Sequence, residues 1–224
     1  VDAMRSTAND IVTIGAAVGF SQLWLLPRLF AFRRQHPNVA LRLVSRDERI
    51  DLGSGEVDML IRFGTGPFPD GDIVATVPDV VFPVCSPDYA ARHDLGRFPD
   101  CAFDLIEQDV PDRSWYRWSD WFAEMGHRPP NSAPSLRFTY YTDVLAAARS
   151  GLGIAMGWQL LLGDALETGV LVRLGTADLV PAVDNHLVVP PGGKLSWTAE
   201  LLKRWLVEEI AKAPVHDRAR SARA

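Results

Sequence analysis

The chain of 224 residues is 47% hydrophobic and 23% charged with a formal net charge of −5, the make-up of a folded globular protein with room for one large domain or two lobes, each with its own core. The acidic balance argues against a surface built to neutralise nucleic-acid phosphates, and no run reaches the roughly 18 consecutive apolar residues of a membrane span. The start, "VDAMRSTAND", lacks the basic-then-apolar order of a secretory signal, so the cytoplasm is the expected compartment. Cys85 and Cys101 form neither a metal-ligand spacing nor a disulfide framework and are read as reduced thiols packed like small hydrophobes.

In chain order, "IVTIGAAVGF" (Ile11 to Phe20) is β-branched and ends in small residues, as a buried parallel strand entering a tight turn does. "SQLWLLPRLFAFRRQHP" places Leu23, Leu26, Phe30 and Arg33 near helical spacing, which predicts an amphipathic helix closed by His36-Pro37 and bent at Pro27. "VALRLVSR" alternates as a strand, and "IDLGSGEVDMLIRFG" supplies a short helix, a turn and a strand from Met59 to Phe63. This is βαβαβ, the unit of an α/β sheet with right-handed crossovers. "DVVFPVCSPDYAARHDL" adds a strand, a turn at Ser86-Pro87 and a short helix. Between Asp100 and Pro134 the chain is rich in aromatics and proline; Trp115, Trp118 and Phe122 fall at helical spacing and read as a helix pinned by aromatics on a lobe surface rather than a cofactor box. The second half repeats the logic with strand "SLRFTYY", helix "DVLAAARS", strand "GIAMGW", helix "LLGDALETG" and strand "VLVRL". "NHLVVPPGG" gives a further strand. "SWTAELLKRWLVEEIAK" gives a last helix with Ser196 as N-cap and an apolar stripe of Trp197, Leu201, Leu202, Trp205, Leu206 and Ile210. The tail "PVHDRARSARA" is polar and without period.

Taken together, "LLPRLFAFRRQHPNVALRL", "GSGEVDMLIRFG", "VCSPDYA", "AAARSGLGIAMGW", "GVLVRL" and "LVVP" before a last helix resemble the effector-binding domain of LysR-type transcriptional regulators, in the branch of the glycine-cleavage and β-lactamase activators. The resemblance runs from about Ile11 to Ile210 and rests on the order and spacing of these pieces. It implies an α/β fold of two Rossmann-like lobes joined by two crossover strands, like a type 2 periplasmic binding protein, with a small ligand between the lobes. The crossovers would lie at Val80 to Pro87 and Asp184 to Val189. Lobe I would span 11–83 and 187–211 and lobe II 84–186, with 1–10 a remnant of the linker to a missing DNA-binding domain and 212–224 a flexible tail. The resemblance also implies a homodimer or tetramer in which the first helix of one subunit meets the second lobe of its partner. A charged substitution at Leu29 would be expected to break that packing. DNA would be reached only through the missing N-terminal domain.

A cleft at the carboxyl ends of parallel strands is where α/β proteins bind ligands, because helix N-termini present free amides there and their dipole favours an anion. Two such ends stand out. One is "AVGFSQLW", with Gly19, Phe20 and Ser21; the other is "TYYTDV", with Tyr140, Tyr141 and Thr142. The strand ends "VSRDE" and "IRFG" add Ser45, Arg46, Arg62, Phe63 and Gly64, either arginine being able to pair bidentately with an acid. Phe63 and Trp158 would wall the pocket. Ser21 has a second reading as a helix cap, and Arg62 as an interdomain salt bridge. If the strand persists, Tyr140 and Tyr141 face opposite ways, so one reaches the ligand and the other packs. Asp143 reads as a first-turn dipole partner. Many members of the family carry Ser or Thr eight residues before the proline of "LLP", where this chain has Gly19; either the effector lacks a carboxylate at that point or Ser21 substitutes.

The leading expectation is therefore a cytoplasmic ligand sensor. Its effector would be a polar or aromatic acid or an amino-acid-like molecule, and no cofactor, metal or membrane contact is foreseen. A solute-binding protein of a transport system shares the expected fold and is the alternative. An enzyme is not expected: His36, His93, His127, His186 and His216 are scattered, no nucleophile elbow is present, and "GSG" at Gly53 to Gly55 is a helix end and turn rather than a phosphate loop.

Overall fold

The computed structural model describes residues 11–99, 103–110, 115–129, 134–176, 178–192 and 194–213. Cys101, His216, the expected linker remnant 1–10 and the tail beyond residue 213 lie outside the described residues. In chain order the strands and helices are β1 Ile11–Ala16, α1 Val18–Phe20, α2 Leu26–Gln35, β2 Ala40–Ser45, β3 Met59–Gly64, β4 Asp72–Val77, β5 Val81–Cys85, α3 Pro87–Arg92, β6 Leu105–Gln108, α4 Trp118–Glu124, β7 Leu136–Phe138, α5 Tyr141–Arg149, β8 Ile154–Trp158, α6 Gln159–Leu162, β9 Val172–Arg173, β10 Asp184–Val189 and α7 Trp197–Ala211. The described residues divide into two compact units, 11–78 with 182–213, and 79–181. The divisions fall in the connections beside β5 and β10, not inside those strands: β10 belongs wholly to the first sheet and β5 wholly to the second.

The first unit is a five-stranded sheet in the order β2-β1-β3-β10-β4. β1 runs parallel to both β2 and β3, and β10 is antiparallel to β3 and β4. Strand β4, over which the sequence reading passes without a strand, forms the edge. The β1–β2 crossover is one helical run: α1 leads into a π-helical stretch, Ser21–Leu25, and then into α2. Pro27 is tolerated just after this wider turn, because a proline ring collides with the carbonyl four residues back only where the ladder is tight. The π turn also shifts the phase of everything after it. Trp24, Leu25, Leu29 and Phe32 are buried, whereas Leu26 is 48% and Phe30 71% exposed. The expected inward stripe of Leu23, Leu26 and Phe30 is thus corrected, and Leu29 belongs to the unit's own core rather than to a partner-facing surface. Phe32 packs edge-on against Trp205 of α7 at 5.4 Å between centroids. Ser196 caps α7, accepting from the Ala199 amide at 3.2 Å. Its buried face is Thr198, Ala199, Leu202, Trp205, Leu206 and Ile210, with Trp197 60% exposed instead of in the stripe. The opposite sheet face is covered by Ile50, Leu52 and Val57 against Leu60 and Val188.

The second unit repeats the plan in the order β7-β6-β8-β5-β9. β6 is the parallel centre between β7 and β8, and β5 is antiparallel to β8 and β9. The first strand of its βαβαβ run is therefore β6, inside the segment read from sequence only as aromatic- and proline-rich. The Trp118, Trp121 and Phe122 side chains of α4 are core, packed with Tyr89, Leu105 and Ile154, so these aromatics build the lobe interior rather than decorate its surface. Cys85 sits unpaired in the same cluster, and burial pushes its thiol up to about 11, consistent with the small-hydrophobe reading. The helix expected over "LLGDALETG" is confined to Gln159–Leu162, because the next residue, Gly163, turns to φ 56°. The final "VLVRL" strand shrinks to two residues, and "SLRFTYY" ends at Phe138.

Candidate functional site

In the first unit, β1 ends at Ala16 and α1 begins two residues later with Ala17 as N-cap, a residue with no side chain able to bond the first-turn amides. The Val18 amide instead donates to Asp47 Oδ1 at 2.9 Å. Asp47 lies just beyond β2. Burial raises its carboxyl above the ordinary value, opposed by the Val18 bond and reinforced by Glu48. Gly19 and Phe20 occupy the first turn and are buried, Phe20 against Trp24 at 4.9 Å. Ser21 is not the cap. Its amide is already bonded to Ala17 O at 2.8 Å, its side chain is fully buried, and its hydroxyl donates to Ala16 O at 3.4 Å. The helix starts three residues earlier than the sequence suggests because Val18 and Gly19 enter it, which moves Ser21 from its mouth to its interior.

Both candidate arginines are taken by carboxylates of their own unit. Arg46 forms a two-pronged pair with Glu56 at 3.0 and 2.6 Å. Arg62 forms another with Asp70 at 2.5 and 2.8 Å, donates to Ile50 O at 2.8 Å, and lies over Phe68 at 4.9 Å. The salt-bridge reading of Arg62 holds in kind, but the bridge is within the unit and not between domains. The Arg62 hydrogen bonds hold Asp70 far below the usual carboxylate range. Ser45 is the exposed last residue of β2, and Phe63 is half-buried in β3. Gly64 ends β3 at φ 145°, where a side chain is disfavoured. Its carbonyl accepts from His186 Nε2 at 3.0 Å, which in the neutral ring leaves Nδ1 to accept from the Thr76 hydroxyl at 2.9 Å. His186 stands between Arg62 and Thr76 across β3, β10 and β4. Its role was invisible among scattered histidines, since only the strand register brings these three together.

In the second unit, Tyr140 is the N-cap of α5, 45% exposed and without a side-chain cap bond. Tyr141 is the first helical residue and is buried. The two tyrosines therefore differ because one precedes the helix and one opens it, not because a strand alternates. The Tyr141 hydroxyl donates to Met156 O and accepts from the Trp158 amide, both at 3.1 Å. Burial raises its phenol. The reason lies in the sheet. Pro83 of β5 faces Met156 and has no N–H to give, so alternation turns Met156 O and Trp158 N toward the β6 side. β6 pairs with β8 only as far as Ala155. Tyr141 supplies the missing partner. Thr142 is half-buried in the first turn, where the amides of Tyr141 and Thr142 have no helical carbonyl within reach. Asp143 is the acidic residue of that turn. Trp158 closes β8, its ring 5.9 Å from Tyr116 in an edge-to-face arrangement. Gln108, at the end of β6, was missed; its amide donates to Thr139 O at 3.1 Å, and the polar "EQD" after two apolar residues was the available signal.

Each unit thus has three parallel strands with crossovers leaving on both sides of the first, and the candidate residues gather at their carboxyl ends. Residues 6–211 match the LysR substrate binding domain. The chain belongs to that family. It is 32% identical to the HTH-type transcriptional regulator PerR of Escherichia coli over 198 residues, 87% of this chain and 64% of the relative. It is 31% identical to the HTH-type transcriptional activator AmpR of Rhodobacter capsulatus, covering 91% of this chain and 68% of that one. It spans, then, about two thirds of the length of these curated relatives. Among solved structures, the effector domain of AmpR of Pseudomonas aeruginosa superposes with a TM-score of 0.74 at 26% identity, covering 90% of this chain and 96% of that one. The CrgA regulatory domain of Neisseria meningitidis, at 18% identity and TM-score 0.73, shares the fold. This LysR-type effector-binding domain has the type 2 periplasmic-binding-protein-like fold, and nothing in these matches supports the solute-transport alternative. No helix among the described residues is long and apolar enough to cross a membrane.

Three substitutions check the local readings. Tyr141→Phe removes the hydroxyl that bridges Met156 O and the Trp158 amide and should cost about 1–3 kcal/mol in urea unfolding, whereas Tyr140→Phe should stay within about 0.5 kcal/mol. Asp70→Asn should cost roughly 3 kcal/mol at neutral pH. Because the Asp70 value is depressed on folding, its contribution is complete above the ordinary value of 3.8 and is lost as the pH falls from there through the folded value. The gap between the parent and Asp70→Asn should therefore narrow below that pH; a gap constant down to acid unfolding would refute the pairing.

Proposed function

We propose that this domain binds a small-molecule effector through residues at the carboxyl ends of its parallel strands and passes that event to a DNA-binding domain outside this chain. The observation that carries the reading is the open first turn of α5: Tyr140 provides no cap, Tyr141 is committed to β8, and the Tyr141 and Thr142 amides face outward from the helix with the dipole behind them. Exposed Tyr140 and half-buried Thr142 belong to that turn, and the Trp158 amide at the end of β8 is tied to it through the Tyr141 hydroxyl. Such a set suits a polar or aromatic acid or an amino-acid-like molecule. The relatives that match this chain are transcriptional regulators, which supports transmission rather than catalysis and a cytoplasmic setting, with DNA contacted by a separate domain.

We further read the Leu26 and Phe30 face of α2 as the contact with a second copy in a homodimer, since these are the large apolar side chains that the helix leaves in solvent.

A thermal-shift screen of small polar metabolites tests the effector. A ligand at about 100 times its dissociation constant should add about 2.7 kcal/mol of stability, and Thr142→Ala or Tyr140→Ala should weaken it by about tenfold, the worth of roughly 1.4 kcal/mol. Full affinity in both variants would refute the site. For the dimer, Phe30→Glu should yield monomers in sedimentation with little change in unfolding midpoint, as expected for an exposed position; an unchanged dimer would refute that face.

A further inference from the structure

Asn185, the second residue of β10, is only 6% exposed and lies at the carboxyl end of β3. It is paired with Phe63 of β3 on one side and Val77 of β4 on the other, so the side chains directly beside its own, about 5 Å away between Cβ atoms, are both apolar. Ile61 and Leu187 share that face of the sheet, while Arg62, His186 and Thr76 stand on the opposite one. The Asn185 side-chain amide consequently has no hydrogen-bond partner among the described residues. It also differs from Trp24 Nε1, which is unpartnered and sealed in the core: the Asn185 amide is not closed off from solvent. Neighbouring polar candidates are committed elsewhere, Arg46 to Glu56, Arg62 to Asp70 and the Ser21 hydroxyl to Ala16 O. We propose that Asn185 is a specificity-determining residue of the effector site, reading an uncharged group with a donor and an acceptor side by side, a carboxamide or peptide unit, through two parallel hydrogen bonds.

A side-chain amide offers an acceptor oxygen and an NH2 with two donors, and burying it unused is unfavourable. Two atoms at fixed spacing decide what completes it. A carboxylate accepts from Nδ2 but turns its second oxygen toward Oδ1. An ammonium donates to Oδ1 but sets its positive charge beside the Nδ2 donors. Each leaves half of the amide unmatched, and an unmatched polar group in a poorly solvated place costs more than the matched half returns. A second amide carries N–H and C=O at the same spacing and meets both halves at once. The apolar neighbours Phe63 and Val77 supply no competing partner, and low local polarity strengthens such bonds. The inference rests on the effector reading above and deepens it: the effector has a neutral polar end, and that end belongs to the carboxyl end of β3 in the first unit.

The test titrates acetamide, acetate and methylammonium separately, at constant ionic strength and neutral pH, into the full chain. The Asn185 side-chain NH2 and the backbone amides of Phe63, Val77 and Asn185 are followed by NMR. Acetamide should shift these resonances and bind at least about tenfold more tightly than either ion. Asn185→Leu keeps the volume and removes both polar atoms; it should abolish the acetamide response at Phe63 and Val77 while the urea midpoint holds or rises, because no hydrogen bond within the protein is lost. Asn185→Ala should abolish the response equally, and it decides the matter if the leucine branch does not fit. Either ion binding the parent as tightly as acetamide overturns the proposal. So does an acetamide response that survives in Asn185→Ala, no response to any of the three probes, or a midpoint that falls sharply in both variants, the mark of an amide serving the fold. A screen with no stabilising metabolite would sink the effector reading yet leave acetamide selectivity at Asn185 in place, so the two failures are distinguishable.

Discussion

Three parallel strands whose crossovers leave on opposite sides of the first must part at their carboxyl ends. In the first unit β1 is flanked by β2 and β3, and in the second β6 is flanked by β7 and β8. Backbone groups beyond the last shared pair then lose their ladder partners, and unpaired amides and carbonyls are too costly to bury. The fold needs other atoms there. A chemically varied set of side chains at these ends is thus first a structural demand, and only then an opportunity to bind something.

The two units meet that demand differently. In the second, a neutral hydroxyl bridges Met156 O and Trp158 N, and the first turn of α5 stays uncapped. In the first, Ala16 O receives the Arg46 amide at 3.2 Å and the Ser21 hydroxyl, while Val18 receives a carboxylate. Both arginines at its strand ends are neutralised by carboxylates of the same unit, in the pairs Arg46–Glu56 and Arg62–Asp70. With Arg62 only 12% and Asp70 13% exposed at the side chain, the second pair fixes the turn after β3 more than it advertises charge, because truncating either partner would strand the other in a poorly solvated place. His186 adds to the same support by holding Gly64 O. The RFG strand end is therefore a braced edge whose polarity is spent inward.

Much of this architecture could be read in the sequence, and the limits have identifiable causes. Runs such as Ile11–Ala16, Met59–Gly64 and Ile154–Trp158 are apolar, β-branched or small and bounded by turn residues, which periodicity captures. β6 eluded the reading because four residues, two of them polar, carry too little period to separate from aromatic neighbours, and β4 because half of its side chains face solvent. Residue types at the site were legible; their commitments were not. Nothing local tells Arg62 that Asp70, eight residues on and past a glycine-proline turn, will take both prongs of its guanidinium, or tells Tyr141 that Pro83, far away in sequence, will leave Met156 O in need.

The helix from Val18 to Gln35 meets the same limit within a single element. The spacing of Leu23, Leu26 and Phe30 suggests an inward Phe30, whereas the structure buries Leu29 and exposes Phe30. The π-helical stretch at Ser21–Leu25 spends an extra residue in a turn and advances the core-facing positions downstream by one, to Leu29 and Phe32. That one backbone irregularity decides which side of α2 is core and which is surface. It also lies directly between the first-turn amides beside Asp47 and the exposed Leu26 and Phe30. At 1.5 Å per residue, Val18 and Phe30 are about 18 Å apart along a single hydrogen-bonded rod.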